Sequence, residues 1–155
     1  MWTSDIFLQP FILHQRPELK FLKMDATAME FSDGSFSCVL DKGTLDAMMT
    51  DSSEEVVARV AKMFDEVDRV LRLGGRYVCV SLLQPHILEF VVDSFARDRG
   101  WPVRIVRCKE AEEGRPPEDR TFPVFAVVAT KFKRMENAIP VRAEFDSYFI
   151  DWGQT

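Results

Sequence analysis

The sequence contains few residues of the kinds that bind metals or cross-link a chain. Among 155 residues there are three cysteines and two histidines. Cys38, Cys79 and Cys108 are far apart and each stands among apolar residues, so we expect reduced, buried thiols and no disulfide framework or zinc site. His14 and His86 share no ligand spacing with each other or with the cysteines. The sequence therefore predicts no metal site.

Long apolar runs and clusters of basic residues are also missing. The apolar stretch from Ile6 to Leu13 is interrupted by Gln9 and Pro10 and follows no basic leader, which argues against a signal peptide. No stretch approaches the roughly 18 apolar residues that span a bilayer. The formal net charge is -5, without a basic stripe that would bind a nucleic-acid backbone. We expect a cytoplasmic protein that binds neither membranes nor nucleic acid directly.

Strand patterns and helix patterns alternate along the chain, whose apolar content of 46% is that of one globular domain. The segments with the pattern of strands are 19–24, 36–40, 76–81, 103–108 and 122–129. The segments with helical spacing are 54–71 and 85–100. The second strand reads as buried on both faces, because it is a continuous apolar run. The order predicts an α/β fold with a mostly parallel sheet covered by helices on both faces.

Local signals refine the ends of these elements. Ser52 and Glu55 have the spacing of a capping box before the first helix, and the pair Gly74-Gly75 is expected to end that helix. The stretch 109–120 is rich in Glu, Pro and Gly and predicts a mobile surface loop. No helix separates the last two strands, so they are predicted to form an antiparallel hairpin. No element is assigned to residues 134–155.

Ligands in such folds bind beyond the carboxyl ends of the strands, which directs attention to Asp25 and Asp41. The Asp25 carboxylate is able to accept a hydrogen bond from an adenine amine, while the backbone N–H of Ala26 addresses a ring nitrogen. The alternative is a plain turn in which Asp25 bonds to Thr27. Position without partners leaves both interpretations open.

The segment from Asp41 to Asp46 places two carboxylates, an ammonium and a glycine directly after a buried strand, where a loop faces a ligand. The alternative is an ordinary loop in which Thr44 or Asp46 caps a short helical turn. Asp51 is expected to serve only the start of the next helix.

Three stretches together carry a resemblance to a known family. They are Phe-Leu-Lys-Met-Asp-Ala-Thr-Ala-Met-Glu-Phe at 21–31, Phe-Ser-Cys-Val-Leu-Asp-Lys-Gly-Thr-Leu-Asp-Ala at 36–47 and Val-Leu-Arg-Leu-Gly-Gly-Arg-Tyr-Val at 70–78. They resemble the seven-stranded, class I S-adenosylmethionine-dependent methyltransferases, specifically those that methylate lysine and the N-terminus of translation elongation factor 1-alpha. The match from Asp41 to Ala47 is more specific than the glycine turn, and the similarity runs from about Pro17 to Phe132.

The resemblance implies transfer of a methyl group from S-adenosylmethionine to a protein amine, with a lysine of elongation factor 1-alpha as the expected substrate. Asp25 and Ala26 match the family's adenine-contacting pair, and Lys42 matches a position beside the cofactor. Asp41 matches the acidic residue that orients the incoming amine, and Asp46 lines the substrate entrance. The chemistry needs no metal, because the sulfonium cofactor is already reactive.

The resemblance also implies an incomplete Rossmann-like fold. The family's first two strands and its glycine-rich cofactor turn should precede Asp25, yet the first glycine is Gly34. We therefore expect a divergent segment at 1–16 that serves as a substitute start, then a partial methyltransferase domain at 17–133 and a tail at 134–155. The two absent strands leave a gap beside the strand that ends at Asp41, which predicts weakened folding and little or no independent cofactor binding.

The alternative function is a non-catalytic interaction or regulatory fragment that keeps substrate-facing or homodimer-forming surfaces.

Overall fold

The computed structural model describes residues 18–109, 113 and 123–133, and the helices and strands below lie within them. The strands are β1 (Phe36–Lys42), β2 (Leu71–Ser81), β3 (Val103–Arg107) and β4 (Phe125–Thr130). The helices are α1 (Thr44–Met48), α2 (Glu54–Val70) and α3 (Pro85–Val91), which continues as a π-helix over Val92–Asp98. Within these ranges, no helix combines the length and the apolar character needed to cross a bilayer.

The four strands form one mixed sheet in the order β1-β2-β4-β3. β1 and β2 are parallel and are joined by α1 and α2. β4 lies between β2 and β3 and is antiparallel to both, which confirms the predicted antiparallel final pair. The parallel pair with its helical crossover is the element of an α/β fold, so the expected fold class is confirmed in its incomplete form.

α2 forms where the helical spacing of apolar residues predicts it. Its buried residues recur every three or four positions and pack against the sheet: Val56, Val60, Met63, Phe64, Val67 and Val70. The predicted capping box is wrong, because the N-cap residue is Ser53 and no side chain caps this end. Instead the Asp51 carboxylate accepts the Ser53 backbone N–H at 2.8 Å, which fixes the turn one residue later than predicted.

The glycine pair lies inside β2 and does not end α2. The backbone becomes extended at Leu71, so β2 starts there and not at Arg76 as predicted. Between the pairs Phe36↔Leu71 and Cys38↔Arg76, β2 accommodates extra residues as an irregularity, in which Gly74 has a φ of 76°. A Cβ on Gly75 would lie 2.8 Å from the Arg72 carbonyl oxygen, so only glycine fits this close approach.

A single hydrophobic core lies between the helices and one face of the sheet. At its centre Phe64 of α2 is fully buried, with its ring centroid 5.7 Å from that of Tyr77 and 4.5 Å from that of Phe95. Trp101 stacks on Phe95 at 5.3 Å. Tyr77 and Cys79 of β2 and Val127 and Ala129 of β4 supply the sheet side of this core.

The opposite face of the sheet carries apolar side chains that remain exposed or half-buried, and none of the described helices packs on it. Leu40 of β1 is 68% exposed and Val106 of β3 is 40% exposed. β1 forms an edge of the sheet, so the prediction that this strand is buried on both faces is wrong, and Cys38 on it is an exposed free thiol. Cys79 is buried and free as expected, and Cys108 is free and partly buried.

No strand forms at residues 19–24, so the strand predicted to end at Asp25 is wrong. These residues do not pair with the open edge of β1, so they lack the backbone hydrogen bonds that make a strand. Leu22 is accordingly 63% exposed. The predictions for 1–16 and 134–155, and for nearly all of the loop 109–120, fall outside the described residues.

Residues 29–34 are held by the last turn of α2. The Arg69 guanidinium donates to the carbonyl oxygens of Phe31 at 2.6 Å and Met29 at 2.8 Å. Glu66 accepts the Met29 backbone N–H at 2.6 Å and also pairs with Arg69. The hydrogen bonds from Arg69 lower the pKa of the Glu66 carboxyl, so this carboxylate stays charged at neutral pH.

Substitution of Arg69 by alanine is expected to release this segment. The amides of 29–34 should exchange with deuterium roughly tenfold faster, because two buried carbonyl contacts and the ion pair with Glu66 are lost together. Hydrogen exchange followed by mass spectrometry measures this effect. Arg97, which forms an exposed ion pair with Asp93, provides the control, and Arg97→Ala should leave 29–34 unchanged. Equal exchange in the Arg69 variant would contradict the anchoring role.

Candidate functional site

The carboxyl ends of β1 and β2 bring polar side chains from three elements together. Asp41 near the end of β1 is 7% exposed, and its carboxylate accepts hydrogen bonds from three donors. The Tyr77 hydroxyl donates to Oδ2 at 2.8 Å, and the Thr44 backbone N–H donates to Oδ1 at 2.8 Å. The Leu45 N–H contributes a longer bond of 3.2 Å to Oδ2. Asp41 is thereby fixed in one orientation.

Asp41 also starts helix α1. The N-cap position of α1 is Gly43, whose φ of 80° allows the chain to turn but whose side chain offers no acceptor. Asp41 accepts the first two helical N–H groups in its place, and its negative charge lies at the positive end of that helical turn. The predicted alternative in which Thr44 or Asp46 caps the turn is therefore not what the structure shows.

Asp46 joins α1 to the end of β2. Its Oδ1 accepts a hydrogen bond from the Ser81 hydroxyl at 2.7 Å, and the Ser81 oxygen in turn accepts the Leu83 backbone N–H at 2.8 Å. Leu83 has a φ of 50°, an uncommon conformation for a residue with a side chain. The two predicted catalytic residues thus lie at the same edge of the sheet, each bonded to a side chain of β2.

Burial keeps the neighbours of Asp41 protonated at neutral pH. Desolvation raises the pKa of the Tyr77 hydroxyl well above its ordinary value, and the negative charge of Asp41 raises it further. Burial, with a second contribution from Asp41, raises the pKa of the Cys79 thiol to about 12. Tyr77 therefore acts as a hydrogen-bond donor, and Cys79 has no thiolate character that would make it a nucleophile.

Asp25 forms the turn that the sequence offered as the alternative. Its Oδ1 accepts both the backbone N–H and the hydroxyl of Thr27, each at 2.8 Å, and these bonds, led by the backbone one, lower the pKa of the exposed carboxyl. Ala26 packs against the hydrophobic core. A turn from Asp25 to Ala28 then leads to Met29, which is bound at the C-terminal end of α2.

The predicted cofactor residues are consequently not brought together with Asp41. α2 runs back from the carboxyl end of β1 to the amino end of β2. Met29, which is bonded to Glu66 near the end of α2, therefore lies toward the amino end of β2. Among the described residues, no hydrogen bond joins Asp25 to the Asp41 network. Lys42 is exposed and, because successive strand residues point to opposite faces, it faces away from the side occupied by Asp41.

Tyr77 and Ser81 belong to the site although the sequence did not single them out. The alternation of β2 was the available signal, because it places Tyr77, Cys79 and Ser81 on one face of the strand. In the parallel register, Asp41 lies opposite Cys79, between Tyr77 and Ser81. Both polar side chains are therefore within reach of the β1 loop.

The parallel crossover and the acidic loop beyond its strands are those of an incomplete Rossmann-like α/β domain. Residues 9–79 match the family described as "Methyltransferase domain". Over these residues the chain is therefore similar to methyltransferases.

Curated relatives narrow the resemblance. The chain is 49% identical over 121 residues to the human "eEF1A lysine and N-terminal methyltransferase", a stretch covering 77% of this chain and 17% of that protein. It is 52% identical over 124 residues to the homologue from Drosophila melanogaster, covering 77% of this chain and 18% of that protein. The chain thus spans less than a fifth of the length of these relatives.

A solved structure confirms the fold alone. The YcgJ protein from Bacillus subtilis superposes with a TM-score of 0.54 at 14% sequence identity. The superposition covers 86% of this chain and 80% of that chain.

The described residues do not by themselves fit S-adenosylmethionine. The carboxylate expected to read the adenine, Asp25, is turned onto Thr27 and held away from the edge that carries Asp41. A shallow cleft lined by Gly34, Asp68, Arg72 and Lys131 lies at the opposite, amino end of β2. The family match begins at residue 9, before the described part.

Proposed function

We propose that this chain takes part in the transfer of a methyl group from S-adenosylmethionine to a lysine side chain of translation elongation factor 1-alpha. The observation that carries the proposal is the loop from Asp41 to Asp46, which β1 and β2 hold rigidly at their carboxyl ends. The relatives that are about 50% identical over this region are named for eEF1A, which supports the choice of substrate.

In this proposal Asp41 and Asp46 receive the acceptor amine. Tyr77 and the α1 amides fix Asp41, so its negative charge needs no reorganisation when a lysine ammonium approaches. Asp46, held by Ser81, lies one helical turn away and lines the entrance. The role of both residues is to attract and orient the amine.

The proposed cofactor roles of Asp25, Ala26 and Lys42 require a different arrangement of residues 18–29. A strand beside β1 would carry Asp25 to the carboxyl edge, and the open edge of β1 has room for it.

A second candidate function is a non-catalytic interaction fragment. The observation that favours it is the geometry of Asp25, which serves its own turn and lies apart from Asp41. A fragment of this kind would keep the acidic loop as a binding surface for the basic substrate while lacking methyl transfer.

Calorimetric titration with S-adenosylmethionine and S-adenosylhomocysteine separates the two candidates. Saturable binding of both compounds that Asp25→Ala abolishes would support the methyl-transfer proposal. The matched control is Asp93→Ala, which removes a surface aspartate of the π-helix paired with Arg97 and should bind normally. Absence of binding by a chain whose circular dichroism shows a folded state would overturn the proposal in favour of the non-catalytic fragment.

A further inference from the structure

The sheet face turned away from the core carries two apolar rows that no described element covers. One row runs across the strands through Leu40, Val78 and Val128, and the next through Val80, Ala126 and Val106. None of these six residues belongs to the hydrophobic core cluster. We call this surface the open face.

The open face has the dimensions of a helix docking site. Three strand spacings of about 4.8 Å make it about 14 Å wide, and a helix with its side chains is about 10 Å across. Leu40 and Val106, at opposite edges of the sheet, are 68% and 40% exposed, so the patch spans its full width. An apolar surface of this kind marks a contact with another element.

The charges on the open face have one sign. Lys42, Arg76 and Arg104 alternate with the apolar residues on the same side of their strands and are exposed. No acidic residue occupies a strand position on this face. The partner that fits is therefore an apolar helix face with acidic residues along its sides.

The sequence after Lys133 contains such a segment. Phe145, Tyr148, Phe149 and Trp152 recur at i, i+3, i+4 and i+7, which places four aromatic rings on one side of a helix. On a helical projection the acidic residues of this segment flank the aromatic side: Glu144 and Asp151 along one border and Asp146 along the other.

The chain between β4 and this aromatic segment is long enough for the segment to reach the open face. Eleven residues lie between Lys133 and Phe145, and in extended form they span up to about 40 Å. β2, the longest strand, has 11 residues and is therefore about 36 Å long. Because β4 lies in the interior of the sheet, a segment that follows it reaches any part of the open face.

We propose that residues 144–152 dock as an amphipathic helix on the open face, with the four aromatic rings on the apolar rows and the acidic borders beside Lys42, Arg76 and Arg104. The segment would supply the second helical layer that the described part of the sheet lacks. This inference shares Lys42 with the proposed methyl transfer, but it concerns the face of the sheet opposite to Asp41.

Cys38 offers a direct probe, because it is an exposed free thiol on the open face of β1. The experiment measures the rate of Cys38 alkylation by iodoacetamide in the full chain carrying Cys108→Ser. Phe149→Glu should speed this alkylation about tenfold by releasing the segment. The matched control is Ile150→Glu, which adds the same charge on the opposite side of the helix and should leave the rate unchanged.

High salt should also speed the reaction, because it screens the basic face from the acidic borders. Circular dichroism establishes that each variant keeps its helices, so a change in rate reports the open face and not global unfolding. An unchanged rate in Phe149→Glu, or the same acceleration in Ile150→Glu, would overturn the docking. Protection that depends on protein concentration would assign the open face to a second copy of the chain and would also overturn it.

Discussion

Replacing Phe64 with alanine should lower the free energy of unfolding by about 3–5 kcal/mol. Phe64 is fully buried on α2 and its ring lies within 6 Å, centroid to centroid, of Tyr77, Phe90 and Phe95. The loss combines the transfer of the ring from the core with the cavity left among three other rings, which rigid neighbours cannot fill. Urea denaturation followed by circular dichroism measures it.

Phe132→Ala is the control for this prediction, because Phe132 is 54% exposed and its removal should change stability by less than about 0.5 kcal/mol. Phe64→Leu provides an intermediate that keeps the core apolar, and it should cost less than the alanine variant. Equal stability of the Phe64 and Phe132 variants would mean that α2 does not pack on the sheet through this ring. The graded series remains informative if the alanine variant is unfolded.

Elements whose signals are local could be predicted from the sequence. α2 repeats apolar residues at helical spacing over many turns, and the structure gives Glu54–Val70 where the pattern predicts 54–71. β3 was likewise predicted within one residue of its end. The antiparallel pair of β3 and β4 followed from the missing helix between them, since parallel strands need a crossover.

Elements that depend on a neighbour could not be predicted from their own sequence. Residues 19–24 have the alternation of a strand, but they do not pair with the open edge of β1 and form no strand. The apolar run of β1 similarly suggests burial on both faces, yet Leu40 is largely exposed because it faces away from the core. Alternation describes what a segment is able to form, whereas the sheet topology determines whether it does so.

The sequence predicted the acidic residues of the candidate site but not the side chains that hydrogen-bond to them. Asp41 and Asp46 were identified because they follow a strand, where ligands bind in α/β folds. Tyr77 and Ser81 are separated from them by 36 and 35 residues, so no local spacing indicates the contacts. Parallel register creates the site, and register is a property of the folded sheet.

The second large effect is expected at Asp41. Asp41→Ala should lower the free energy of unfolding by about 2–4 kcal/mol, because the Tyr77 hydroxyl and the Thr44 and Leu45 amides lose their acceptor in a buried place. Asp46→Ala removes one hydrogen bond from Ser81 and should cost about 1 kcal/mol, so it serves as the matched control. Urea titration of both variants gives the comparison.

A double-mutant cycle tests whether Tyr77 and Asp41 act as one unit. Tyr77→Phe removes the hydroxyl alone, and the combined variant should be more stable than the sum of the single losses implies, by about 1 kcal/mol, because neither partner is then left unpaired. Additive losses would show that the two residues stabilise the fold separately. If Asp41→Ala proves as stable as the unaltered chain, Asp41 does not hold α1 in place. Its position at the end of β1 would then be explained by the methyl acceptor alone.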